Sequence, residues 1–168
     1  MQGATPWVIA ALVAISVLLL AAAPTDQAPK LAPDFSLPAL DGASVTLSSL
    51  RGSVVILDFW ASWCAPCTRT LPGLHVLASR LAERGVVLLA VSLDRTADAA
   101  GEYAESQNMA LGSVLYGSLD EARAVKDLYG VVGIPHTFVI DRDGWIQFSG
   151  TPSGVTDELL APWLGDAQ

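Results

Sequence analysis

Two cysteines, Cys64 and Cys67, stand three positions apart as Cys-Ala-Pro-Cys, and the chain has no others. A pair at this spacing can hold a metal, exchange disulfides, or lie inert in a core. A structural zinc site needs four ligands. The only histidines, His75 and His136, are distant in sequence and not at finger spacing. Two soft thiolates with His136 could still bind Cu(I), which keeps a copper-handling module open as the alternative function. The surroundings of the pair favour thiol chemistry. Residues 54–60 (VVILDFW) form an apolar run, and a helical pattern begins directly after the first cysteine. A thiol at a helix N-terminus meets unpaired N–H groups and the positive end of the macrodipole, which favour its ionised form. Cys64 is thus the candidate nucleophile. Cys67, one turn further on the same side, is placed to attack a mixed disulfide and release the substrate. Pro66 costs the helix nothing, because first-turn N–H groups have no intrahelical acceptor.

Asp58 is the third candidate. It is the single charge in the run 54–60, where a carboxylate has no place unless it is paired or functional. Strand alternation puts it on the face of Ile56 and Trp60, from which it could accept the proton of Cys67. A simpler role, hydrogen bonding backbone at a strand edge, fits the same position. Trp63, beside the first cysteine, reads either as a wall shielding the thiols or as an exposed docking residue. Trp60 reads as core, and His75 as a surface histidine.

The elements that must position these residues follow from periodicity. Runs 54–60 and 86–93 are short and continuously apolar, as central strands covered on both faces are. Between them, residues 65–84 carry Leu71, Leu74, Leu77 and Leu81 at helical spacing, followed by Gly85, so the three form a βαβ unit. Residues 97–108 and 119–129 predict further helices, 137–140 and 145–148 a hairpin about Asp141-Arg142-Asp143-Gly144, and 155–164 a closing helix. The expected fold is an α/β domain with a central mixed sheet flanked by helices.

Ahead of this domain, the run 7–23 is broken only by Ser16. As a helix it would measure about 25 Å, near the lower limit for crossing a bilayer. No Lys or Arg precedes it, and Pro24 directly follows the small residues Ala21–Ala23, a poor subsite for a signal protease. An uncleaved anchor over 1–23 is therefore expected, followed by a proline-rich linker over 24–38 and the domain over 39–168. Cleavage would leave the domain free outside the membrane. Nine basic residues against 17 acidic, a net charge of −8, provide no footprint for nucleic acid.

The stretch Leu57 to Cys67 (LDFWASWCAPC) resembles the active site of thioredoxins. Together with APDFSL (32–37), the segment 47–52, and GIPHTFVID (133–141), it resembles the TlpA/ResA branch of exported, membrane-anchored thiol:disulfide oxidoreductases over about residues 31–165. That resemblance implies a thioredoxin-like fold in which residues 96–117 supply an inserted helix and strand. It identifies Pro72 as the proline within the active-site helix and Pro135 as a cis proline facing the redox pair. Ile134, Pro135 and His136, with Trp63, would then bind substrate. It also implies a redox-active Cys64–Cys67 disulfide and no cofactor, substrates among exported disulfide proteins such as apocytochrome c, and a membrane thiol carrier as electron donor. The chain departs from the pattern where thioredoxins place a lysine against the buried aspartate: that position falls near Ala90. The N-terminal APDF is shared with peroxidases of the peroxiredoxin type. Their Pro-x-x-x-Thr/Ser-x-x-Cys is absent, since Leu57 and Ala61 precede Cys64 at those places.

Overall fold

The computed structural model of the chain describes residues 30–165. Eight strands, β1 (Lys30–Leu31), β2 (Ser36–Pro38), β3 (Ser44–Thr46), β4 (Val54–Trp60), β5 (Val86–Ser92), β6 (Val114–Leu115), β7 (His136–Ile140) and β8 (Trp145–Gly150), alternate with four α-helices. The helices are α1 (Ala65–Arg80), α2 (Ala97–Ser106), α3 (Leu119–Leu128) and α4 (Asp157–Leu160). Six strands form one sheet in the order β1-β8-β7-β4-β5-β6, and β2 and β3 pair separately.

Every residue of β4 is buried, as a central strand with helices on both faces requires. It runs parallel to β5, with Val54 opposite Val86 and Trp60 opposite Ser92. It runs antiparallel to β7, with Phe59 opposite His136. On one face Trp60 packs against Tyr103 of α2, ring centroids 5.1 Å apart, and the Tyr103 hydroxyl donates to the Thr68 carbonyl of α1 at 2.8 Å. On the other, Phe59, Phe138 and Tyr129 form an aromatic cluster.

Helix α1 buries Cys67, Leu71, Leu74, Leu77 and Ala78 and ends four residues short of the expected 65–84. Ala82–Arg84 tightens into a 3₁₀ turn before Gly85, whose φ of 82° suits a residue without Cβ. The closing helix is also shorter, Asp157–Leu160 followed by the 3₁₀ turn Ala161–Trp163, because Pro162 has no N–H to continue the ladder. Residues 96–117 supply α2 and β6, the latter added parallel to β5 at the sheet edge.

The stretch expected as a linker, 24–38, is corrected over its second half. Lys30–Leu31 adds to β8, Ser36–Pro38 pairs with β3, and Ala32, Phe35 and Leu37 are core. The prolines there punctuate strands that bury apolar side chains, so the folded unit begins by residue 30 and not at 39. The expected anchor over 1–23 lies outside the described residues. Among those described, no helix is long and apolar enough to cross a membrane.

Candidate active site

The redox pair sits where β4 hands over to α1. Cys64 is the N-cap of α1, in extended conformation, and its Sγ accepts from the Cys67 N–H at 3.3 Å. The helix thus offers one of its unpaired donors to the first sulfur, the geometry that stabilises a thiolate. Cys64 and Cys67 are joined as a disulfide, Cα atoms 5.2 Å apart. Both are buried, Cys67 completely and Cys64 to 6% exposure, so an approaching disulfide meets the first sulfur. Ala65 and Pro66 are exposed beside it, and Trp63 is 66% exposed. That exposure favours the docking role over the shielding one.

The Ile134–Pro135 bond is cis, and the Ile134 carbonyl oxygen lies 3.9 Å from Cys64 Sγ. The segment expected to face the pair is therefore brought against it. His136 goes elsewhere. It is opposite Phe59 in the β4–β7 register, its ring packs on Phe138 with centroids 4.8 Å apart, and its Nε2 pairs with Ser149 Oγ at 2.9 Å. Alternation along β7 puts that ring on the face away from Thr137, and partial burial holds its pKa below the usual histidine value. Its hydrogen bond thus goes to β8 and not to a sulfur. Among the described residues no three His, Cys, Asp or Glu side chains form a metal-holding group.

Asp58 is fully buried. Its Oδ1 accepts from Thr137 Oγ1 at 2.6 Å, while Oδ2 has no partner. The residue opposite it on β5 is Ala90, where a lysine would supply charge. Desolvation therefore dominates and pushes the carboxyl up to about 7, against the lowering effect of the Thr137 hydroxyl. The alternative of a strand-edge carboxylate bonded to backbone is not what the structure holds.

Thr137 and Asp94 also support the site, and only the first carries no signal in the sequence. Thr137, fully buried, is recognisable only once the register sets it opposite Asp58. Asp94, 1% exposed, follows β5 and clasps the loop before the cysteines. It accepts from the Ser62 N–H at 3.0 and 3.1 Å, from Ser62 Oγ at 2.7 Å and from Ser92 Oγ at 2.8 Å. Charge-assisted bonds of this kind hold a turn firmly. Its signal in the sequence is its place, an acidic residue directly after the second central strand.

Comparison with known proteins agrees with this geometry. A family model described as the AhpC/TSA family matches residues 28–149. The chain is 35% identical over 139 residues to the thiol-disulfide oxidoreductase ResA of Oceanobacillus iheyensis, covering 80% of this chain and 70% of that one. With ResA of Bacillus thuringiensis it shares 31% over 118 residues, and spans 66% of that relative's length. A crystal structure of a putative thiol:disulfide interchange protein DsbE from Chlorobium tepidum superposes with a TM-score of 0.67 at 34% identity, covering 74% of this chain and 85% of the other. The chain belongs to the AhpC/TSA family and, within it, to the thioredoxin-fold proteins related to the thiol-disulfide oxidoreductase ResA.

Proposed function

We propose that the chain is an exported, membrane-anchored thiol:disulfide oxidoreductase that reduces disulfides of extracytoplasmic proteins. The observation that carries this reading is the Cys64–Cys67 disulfide at the N-terminus of α1, its first sulfur capping the helix and its second buried one turn on. In the reduced protein the Cys64 thiolate attacks a substrate disulfide, forming a mixed disulfide and expelling one substrate thiolate. Cys67, giving its proton to Asp58, then attacks Cys64 Sγ. The second substrate thiolate leaves and the Cys64–Cys67 disulfide forms. Two electrons pass to the substrate, and a membrane thiol carrier returns the pair to the dithiol.

Trp63, Ile134 and Pro135 bind the substrate beside Cys64, and His136 shapes the neighbouring strand from the opposite face of the sheet. Apocytochrome c is the proposed substrate class, on the resemblance of the sequence around Cys64 and Pro135 to the TlpA/ResA branch. The test is capture in cells with Cys67→Ser, which leaves mixed disulfides unresolved. Exported thiol proteins should be recovered on Cys64. Recovery on Cys67 in the Cys64→Ser variant instead, or no exported partner at all, overturns the reading.

A further inference from the structure

The sheet has two ends, and they differ in chemistry. Strand register places the redox pair at one of them: Cys64 follows the last residue of β4, and the Ile134 carbonyl reaches it from the start of β7. At the other end, level with the first residues of β4 but with β7 and β8 between, Lys30 is opposite Ile146 and Leu31 opposite Trp145. Leu31 is 49% exposed and Trp145 39%, so the pair forms an apolar step on the edge where the chain enters the fold.

The same end gathers basic side chains. Arg142 donates to the carbonyls of Gly52 at 2.7 Å and Arg84 at 2.9 Å, and Ala32 N–H donates to the Gly144 carbonyl at 2.9 Å. The Arg51 guanidinium lies over Gly144. Arg51, Arg84 and Arg142 thus gather here beside Glu83, Asp141 and Asp143 of the same turns, with Lys30 on the adjoining edge strand. Acidic and basic side chains are therefore mixed at this end, whereas the chain as a whole carries a net −8. An acidic domain beside an anionic lipid surface is repelled least through this end.

We propose that this end, through Leu31 and Trp145, rests on the lipid surface entered by the chain's own apolar segment and holds the redox pair facing away from the bilayer. The inference rests on the reading of residues 1–23 as an anchor. Only six residues, 24–29, separate that segment from Lys30, a tether of at most about 20 Å when fully extended. The lipid interface is therefore the surface nearest to Leu31 and Trp145. Tryptophan favours that interface, with an apolar body and a polar tip, and Lys30 can keep its ammonium among headgroups. The seven residues of β4 then lift Cys64 by about 20 Å more. Substrates reach it from the aqueous side, and a membrane electron donor must project a thiol to that height.

The experiment places the full chain in vesicles of zwitterionic and anionic phospholipid carrying bromine on the acyl chains near the headgroups. Fluorescence differences between the parent and Trp145→Phe, and between the parent and Trp63→Phe, isolate each indole. The expected result is loss of the Trp145 component in brominated vesicles with the Trp63 component unchanged. Quenching of Trp63 and not Trp145 overturns the orientation. A Trp145 component protected from aqueous iodide yet untouched by bromine marks a second copy of the chain as the occupant and also overturns it. Flotation separates the two readings. A chain that does not float with vesicles fails as an anchored protein and takes the proposal with it, whereas a chain that floats with Trp145 unquenched fails the proposal alone.

Discussion

Asp58 and Ala90 stand directly opposite each other across the parallel strands β4 and β5. The buried carboxyl therefore faces a methyl group, and its one hydrogen bond comes from Thr137 on the other side. The proposed role of proton acceptor for Cys67 needs a pKa near the working pH, and desolvation without a counter-charge raises the carboxyl toward that range.

The same burial sets a pH-dependent stability. The folded pKa of Asp58, about 7, lies above its ordinary 3.8, so between these values the unfolded chain has lost the proton while the folded protein keeps it. Stability is fully present below about 4, falls as pH rises to about 7, and is level beyond. The loss has a ceiling on the order of 4 kcal/mol. Asp58→Asn removes it. Unfolding midpoints of parent and variant should coincide near pH 4 and diverge in favour of the variant up to pH 7. Parallel curves would show that Asp58 is not buried as a titrating group.

Asp58→Asn should also slow release of the mixed disulfide, because asparagine cannot take the Cys67 proton. The parent's resolution rate should rise with pH through an inflection near the Asp58 value of about 7, and the variant should lack that inflection. An unchanged rate and profile in single-turnover measurements would leave Asp58 with a purely structural part.

The Cys67 N–H that reaches Cys64 Sγ at the start of α1 favours reaction at the first sulfur. Reduced protein treated with an alkylating agent at mildly acidic pH should be modified first at Cys64, as read by peptide mass. Cys67, fully buried, should react only after longer exposure. Faster labelling of Cys67 would reverse the assignment of attacking and resolving sulfurs.

Asp94→Ala strands three donors, the Ser62 N–H and the hydroxyls of Ser62 and Ser92. Destabilisation of about 2–4 kcal/mol is expected in denaturant titration, against about 1 kcal/mol for Ser62→Ala. A change under 0.5 kcal/mol for Asp94→Ala, within the ordinary range of a surface substitution, would mean that the loop is held by other contacts.

Trp63, being exposed, can be removed without cost to the fold. Trp63→Ala should leave the unfolding midpoint within about 0.5 kcal/mol of the parent while raising KM for protein disulfides severalfold and sparing small-molecule disulfides. An equal effect on both substrates would mean that the indole acts on the thiols and not on docking.

The local placement of the pair was determined by the sequence alone. Two cysteines one turn apart, after a run of strand formers and before leucines at helical spacing, imply a first sulfur at a helix N-terminus and a second one turn on, because helix periodicity and capping act within a few residues. The isolated Asp58 in an apolar strand was legible for the same reason. Tertiary structure decided what those residues meet. The Thr137 hydroxyl comes from 79 positions away, the Asp94 clasp on Ser62 spans 32, and the burial of Phe35 and Leu37 depends on a sheet built around them. His136, next to Pro135 in sequence, turns to the opposite face because side chains alternate along β7. Strand register governs each of these pairings, and register is settled by packing across the whole sheet, which no short stretch of sequence encodes.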